Sequence, residues 1–548
     1  MTTTSKPGAT RSSEGPGVFS RPASGLIRVG GSADVFIYNV GLVSIGIAVA
    51  FNQFYGPSLY PGARPWVSTL LAALGMIAVA TTFYFWSVVF PRSGGVYVFL
   101  SRTVHPGVAF VLSLVETVIL LYYAALAASL IVKVGLSSFF ATVGSVAGNG
   151  TMQRWAADVA RPTGTFWIGT VILLAAGALL ASGTRRYFSL QRVLFVIALA
   201  GTAVLVVVMI FGSHQKFQNN FHTLTGLTSA QVVSAATKKG FVTSGFSFSE
   251  SAKFLVWPLL PLLGAVQSVG LGGEIKRVRR SQLFGMLGAV VATGLLIALF
   301  DLLATKVFGQ TFQGAIAFNS INGDVAQSTD GTIGAAPYFT VLAGILTHNV
   351  ILALIVMAMF VAWIWFWIPA EIAYTTRTMI AWSFDRLAPD KLGYVSERVH
   401  TPVVAIALST AGSIFFMWLI AFRSIAFLTL IEMLLVAWMA AMLSAVVFPR
   451  TRPEFYRSSP AKNARIGGVP IMSVSGAFAS AFFVYVIYLL WNDPNAAGPL
   501  FTLHKLSREF WLVLGILAFG VAWYVGVRLF RRRQGINLDL AFRQIPIE

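Results

Sequence analysis

Of the 548 residues none is cysteine, which excludes a disulfide framework, a thiol nucleophile and a thiolate-bound metal. Charge is scarce too: Asp, Glu, Lys and Arg make up 11% of the chain, against roughly 25% in a soluble domain. Acidic residues are the rarer sign, 19 against 39 Lys plus Arg. What fills the chain is apolar, with 56% hydrophobic residues and a mean hydropathy of +0.76. Apolar runs of about 20 residues recur from Val35 to Phe530, each long enough to cross a hydrocarbon layer of ~30 Å as a helix. A soluble enzyme, a secreted scaffold and a disordered protein are thereby excluded. The chain reads as a polytopic membrane protein.

Twelve spans are predicted, at about 34–55, 66–90, 107–132, 165–182, 190–212, 254–273, 283–305, 338–367, 403–421, 425–448, 470–490 and 510–530. They are helical, because unpaired backbone in lipid is too costly and the runs are too long and too uniformly apolar for barrel strands. The basic clusters Arg185-Arg186, Lys276-Arg277 with Arg279-Arg280, and Arg531-Arg532-Arg533 fall after even-numbered spans. The positive-inside rule then places both termini in the cytoplasm of a cytoplasmic-membrane protein. The net charge of +20 is thus an orientation signal; the bilayer is the expected partner, and nucleic acid is not. Residues 1–30, rich in Thr, Ser, Gly and Pro without a signal-peptide core, are expected to be a disordered cytoplasmic tail, and 531–548 a basic one. The long outer loops 213–253 and 306–337 are expected to form short interfacial helices or a lid.

Two spans carry interruptions. The first reads Asn39-Val40-Gly41-Leu42-Val43-Ser44-Ile45-Gly46-Ile47-Ala48, and the sixth has Pro258 and Pro261, then Gly264, Gly270, Gly272 and Gly273. Proline removes a backbone donor and glycine permits unwound geometry. Such breaks at membrane depth line enclosed cavities and point to a transporter site; close helix packing is the competing explanation for the glycines.

Three ordered motifs bear on that choice. Pro91-Arg92-Ser93-Gly94-Gly95-Val96-Tyr97 is similar to the signature after the second helix of the amino acid–polyamine–organocation transporter superfamily. Glu274-Ile275-Lys276-Arg277-Val278-Arg279-Arg280 resembles the stretch that closes its helix 6. Arg377 to Trp382, Asp385-Arg386-Leu387-Ala388-Pro389 and Thr401-Pro402-Val403 resemble its loop between helices 8 and 9. The resemblance covers about 35–450. It implies an all-α fold of two inverted five-helix repeats (about 34–212 and 254–448) with broken helices 1 and 6, followed by helices 11 and 12 (about 470–530), in one transporter domain over 31–530. It also implies an amino acid permease, not an enzyme, binding substrate at the midplane without cofactor or metal.

By position, the family's helix-1 glycine motif falls on Ser44, Ile45 and Gly46, so the substrate-binding residues are expected to be Val43, Ser44, Ile45, Gly46 and Ile47. The helix-6 counterpart is Leu263, Gly264, Ala265, Val266, Gln267 and Ser268. Ala265 and Val266 stand where relatives carry an aromatic and an acid, which implies a substrate with a neutral side chain and leaves Gln267 and Ser268 as the polar contacts. The positive end of a half-helix suits a carboxylate, and the carbonyl ends opposite suit an ammonium group.

Ionisable residues inside spans are functional candidates. Glu116 and Glu432 are candidates for proton coupling or for binding the substrate amine. Asp301 and His348 are expected nearer water, and Glu371 to pair with Arg377. Arg92, Arg102, Glu274 and Lys276 are expected to form an inner gate network. Trp363, Trp365 and Trp367 are expected as interfacial anchors, and Tyr122 and Tyr123 as packing residues. The stretch Val350 to Ala373 has no Ser or Thr, which argues against a sodium site of the type relatives build with helix-8 hydroxyls. Proton-coupled amino acid uptake is the favoured reading. An exchanger or organic amine carrier without ion coupling, and a sensor or channel on the same scaffold, are the alternatives. A membrane-embedded enzyme finds no HExxH or GxSxG motif.

Overall fold

The computed structural model describes residues 25–423, 431–496, 501–502, 505–506, 508–538 and 542. Most of the expected N-terminal tail, the end of the basic C-terminal tail and the start of the expected tenth span lie outside the described residues. Among the described residues twelve helical segments are long and apolar enough to cross a membrane. They are Ser32–Leu59, Pro65–Val89, Pro106–Val146, Pro162–Ala181, Thr184–Phe211, Phe248–Gly270, Val278–Phe308, Val350–Phe384, Val403–Arg423, Ile431–Thr451, Ile471–Asn492 and Phe510–Arg533, called spans 1 to 12 below. The chain is an all-α, multi-pass membrane protein.

Spans 2, 3 and 4 each start with proline at the first helical turn, where its missing N–H costs nothing and its fixed φ favours the helix. Burial sorts the spans into a centre and a periphery. In spans 1 and 6 the most apolar stretch is 89% buried, against 28% in span 5 and 17% in span 12. The two interrupted spans are therefore the axis of the bundle, and lipid meets the outer ones. Span 1 packs along span 6, span 3 against spans 8 and 9, and span 2 against spans 7 and 11.

The structure moves several sequence-based boundaries. The eighth span is not 338–367. A short helix, Phe339–Thr347, ends at His348 in a left-handed conformation (φ 46°), and span 8 starts anew at Val350 with the Asn349 side chain accepting from the amides of Ile351 and Leu352. The apolar run is continuous across this turn, so hydropathy fused two helices. It also stopped too soon, because the polar stretch Glu371 to Thr378 is buried inside the bundle rather than in a loop. His348 is accordingly an exposed cap, not a residue within a span. Span 3 runs on to Val146 through a π-helical turn at Ile131–Leu136. The long loops do form short helices: His214–Thr225, Ser229–Lys238 and Gln310–Ile321.

Candidate functional site

The interruption of span 1 is a single residue. Ser44 sits at φ 49°, ψ 72° between Ser32–Val43 and Ile45–Leu59, a left-handed conformation that costs a non-glycine residue about 1–2 kcal/mol. Its amide closes back on the Gly41 carbonyl at 2.9 Å, and its own carbonyl accepts from Ala48 at 3.1 Å. The Ser44 side chain does not cap the second half-helix, and its buried Oγ has no partner. The amides of Ile45, Gly46 and Ile47, at the first turn of that half-helix, have no helical acceptor. At the other side of the break the Leu42 carbonyl accepts a hydrogen bond from the Trp367 indole. Gly46 lets span 8 approach: a Cβ there would lie 3.1 Å from the Phe360 ring.

Span 6 does not unwind at the matching depth as the sequence suggests; it tightens. Val256–Leu262 is α-helical and Leu263–Gly270 is a 3-10 helix. Leu263, Gly264, Ala265, Val266, Gln267 and Ser268 are all buried. Gly264 lies directly on span 1, where an added Cβ would be 2.6 Å from the backbone C and O of Leu42. The two altered segments touch rather than enclosing a chamber between Gly264 and Leu42. Ser268 is held from both sides: its amide donates to Asn39 Oδ1 at 3.0 Å, the Asn39 amide donates to its Oγ at 3.0 Å, and its Oγ donates to Gln282 Oε1 at 2.6 Å. This residue locks spans 1, 6 and 7 together.

The buried acids are distributed differently from the expectation. Glu116 Oε1 accepts from Tyr374 Oη at 3.0 Å and from Trp438 Nε1 at 2.8 Å, while its Oε2 is buried without a partner. Glu371 does not pair with Arg377. It accepts from Gln267 Nε2 at 3.2 Å, and both Glu371 Oε2 and Gln267 Oε1 are buried and unpartnered. Span 8 continues past residue 367, so Glu371 faces the 3-10 segment of span 6 instead of ending a helix. Glu432 sits at the start of span 10 against Trp491 Nε1 of span 11 at 3.2 Å, and is not brought to the break. Asp301, expected nearer water, is fully buried. Trp363 and Trp367 are not interfacial anchors, because both are buried and Trp363 donates to Thr202 at 3.0 Å; Trp365 is half-buried. Tyr122 packs edge-on against Phe416, centroids 5.9 Å apart.

On the face where the described chain begins, beside Val29 and Gly30, the proposed gate residues are engaged with partners the sequence did not indicate. Glu274 accepts from Arg377 at 2.7 and 3.0 Å and from Thr184 at 2.9 Å. Arg102 holds Asp385 through two bonds of 2.7 and 2.8 Å, and Tyr97 donates to the same carboxylate at 2.7 Å. Burial alone would lower the Arg102 pKa; the Asp385 carboxylate reverses this and leaves it above its ordinary value. Lys276 contributes by its backbone, donating to Gly30 at 2.8 Å, while its side chain is exposed. Arg92 also contributes main chain: a Cβ on Gly272 would lie 2.6 Å from its carbonyl oxygen. The Gly94 amide donates to the Gly270 carbonyl at 3.1 Å, so the Pro91–Gly95 motif is stitched to the end of span 6.

The opposite face is closed by aromatic rings. Trp257 stacks on Tyr55 at 4.0 Å between centroids, Phe51 meets Trp257 edge-on at 6.5 Å, and Phe54 packs on Tyr338 at 4.7 Å. Trp257 lies about two turns before Ala265 in span 6, so the aromatic side chain missing at Ala265 is present earlier in the same span. Trp257 is apolar and unremarked within a hydrophobic run, so only its stacking partner reveals it.

The interrupted central span therefore presents first-turn amides without a helical acceptor, packed beside Gly264 of span 6. It holds no nucleophile–base pair, and no cluster of metal-ligating side chains is present among the described residues. Compared with curated proteins one by one, the chain matches none of them. The amino acid permease family profile, however, matches residues 32–520, from the first half of span 1 into span 12. By that match the chain is a membrane transporter of amino acids, not an enzyme, and it belongs to the amino acid permease family.

Proposed function

We propose that the protein is a proton-coupled amino acid symporter that works by alternating access in the cytoplasmic membrane, with both termini inside. The reading is carried by one observation: the left-handed Ser44 interrupts the most buried part of the bundle directly beside Gly264. The substrate carboxylate rests on the amides of Ile45, Gly46 and Ile47, at the positive end of the second half-helix. Its ammonium group lies toward Gln267 and the Glu371 carboxyl behind it. Val43, Leu263, Ala265 and Val266 line the remainder and favour a neutral side chain. Spans 1 and 6 separate at Leu42 and Gly264 to admit substrate, and the halves of the molecule rock about that contact.

Proton movement is assigned to Glu116. Its unpartnered Oε2 can take a proton, and Tyr374 links it to Gly95 and Gly270 at the N-terminal closure. Sodium coupling through span-8 hydroxyls is disfavoured, because Val350 to Ala373 offers none. The test is uptake of a radiolabelled amino acid panel into proteoliposomes under imposed proton or sodium gradients. Accumulation driven by an inward proton gradient supports the reading. Counterflow that ignores every ion gradient replaces it with an exchanger, and absence of both uptake and counterflow across the panel removes it.

A further inference from the structure

About two helical turns beyond the break, ~12 Å along the axis, a polar cluster lies buried among spans 1, 2 and 7. Asp301 of span 7 is 0% exposed. Its Oδ2 accepts from Asn52 Nδ2 at 3.0 Å and from Thr69 Oγ1 at 2.9 Å, and Asn52 Nδ2 also donates to Thr69 Oγ1 at 2.9 Å. Three polar atoms from three spans therefore form a nearly equilateral triangle. Gln53 Nε2 donates to the other carboxylate oxygen at 2.7 Å, and Gln313, on the helix Gln310–Ile321, donates to Gln53 Oε1 at 2.8 Å.

Every one of these partners is neutral, and Asp301 has no salt bridge among the described residues. A buried carboxylate satisfied by three donors is arranged for its charged form, and a buried charge calls for a counter-charge. Two further oxygens, Asn52 Oδ1 and Gln313 Oε1, are buried without a donor; Asn52 is 0% and Gln313 1% exposed. Rotating the Asn52 amide by half a turn exchanges its nitrogen and oxygen. The triangle then becomes a face of three oxygens (carboxylate, hydroxyl and amide carbonyl), which is a donor set for a hard cation.

We propose that Asp301, Asn52 and Thr69 form a site for a monovalent cation of the size of sodium, distinct from the amino acid site. One carboxylate balances one positive charge, whereas a divalent ion would leave an excess charge at membrane depth. A proton on Asp301 would supply a single donor, while a cation engages the carboxylate, Thr69 and the Asn52 oxygen together. Because Gln53 connects this cluster to the helix Gln310–Ile321, the bound ion would tie the far half of span 1 to the closure of that face.

Equilibrium binding of radioactive sodium to the purified full-length protein, in choline buffer without amino acid, tests the site. The expected result is one saturable ion per chain, weakened at least tenfold in both Asp301→Asn and Thr69→Val. The second variant keeps shape and charge and decides the matter if the first does not fold. The proposal is overturned if the folded parent binds no sodium saturably. It is equally overturned if its heat stability responds to pH but not to sodium, or if Thr69→Val binds as the parent does. No amino acid is present, so a failure of uptake elsewhere leaves this result intact.

Discussion

The hydroxyl of Tyr374 donates to Glu116 at 3.0 Å while its ring fills the slot between two glycines; an added Cβ would come within 2.3 Å of Tyr374 at Gly95 and within 2.4 Å at Gly270. The Gly-Gly motif after span 2 and the end of span 6 therefore close around a side chain bonded to a buried acid. Glu116→Gln removes the ionisable carboxyl but keeps an oxygen that can accept from Tyr374 and Trp438. Proton-driven accumulation is expected to fall at least tenfold and the pH profile of uptake to flatten, with counterflow retained. A pH profile identical to the parent's clears Glu116 of coupling.

Gly95→Ala and Gly270→Ala each push Tyr374 out of that slot. Overpacking of this kind destabilises by about 1–3 kcal/mol. Uptake is expected to drop at least tenfold with a lowered thermal unfolding temperature in detergent. In the double variant Gly95→Ala with Tyr374→Phe the loss should persist, because the ring and not the hydroxyl alone fills the space.

Gly264→Leu places a side chain where the Leu42 backbone now stands, and Gly46→Leu presses on Phe360. Both variants are expected to insert into the membrane and to lose amino acid uptake entirely. Wild-type uptake by both would remove the proposed site. A graded result, Gly46→Ala impaired less than Gly264→Ala, is expected from the wider 3.1 Å against 2.6 Å clearance.

Removing one partner of the Glu274–Arg377 pair leaves the other charge buried, at a cost of about 3–5 kcal/mol. Arg377→Met is therefore expected to lower the unfolding temperature sharply, whereas Glu274→Gln with Arg377→Met should recover much of that loss. Thermal unfolding of the three proteins side by side measures it. Equal destabilisation by the single and double variants would show that the ion pair is not what holds the N-terminal face.

Sequence alone settled the solvent, the number of crossings and the family, because each is a local property. A run of some 20 apolar residues carries its own transfer free energy, and the motifs at Pro91, Glu274 and Asp385 are contiguous. It also located the interruption of span 1, since a Gly-x-x-Ser-x-Gly stretch at mid-span is anomalous wherever its neighbours lie. Tertiary packing decided which side chains meet. Glu371 lies six residues from Arg377 yet faces Gln267, and Arg377 reaches Glu274 instead. Asp301 looked close to water and is enclosed by Asn52, Gln53 and Thr69. Span 8 began twelve residues later than its hydropathy implied, because the turn at His348 interrupts the backbone without interrupting the apolar run. Hydropathy adds up residue by residue along one dimension. The partner of a buried charge depends on the rotation and depth of helices far apart in the chain, which no local pattern records.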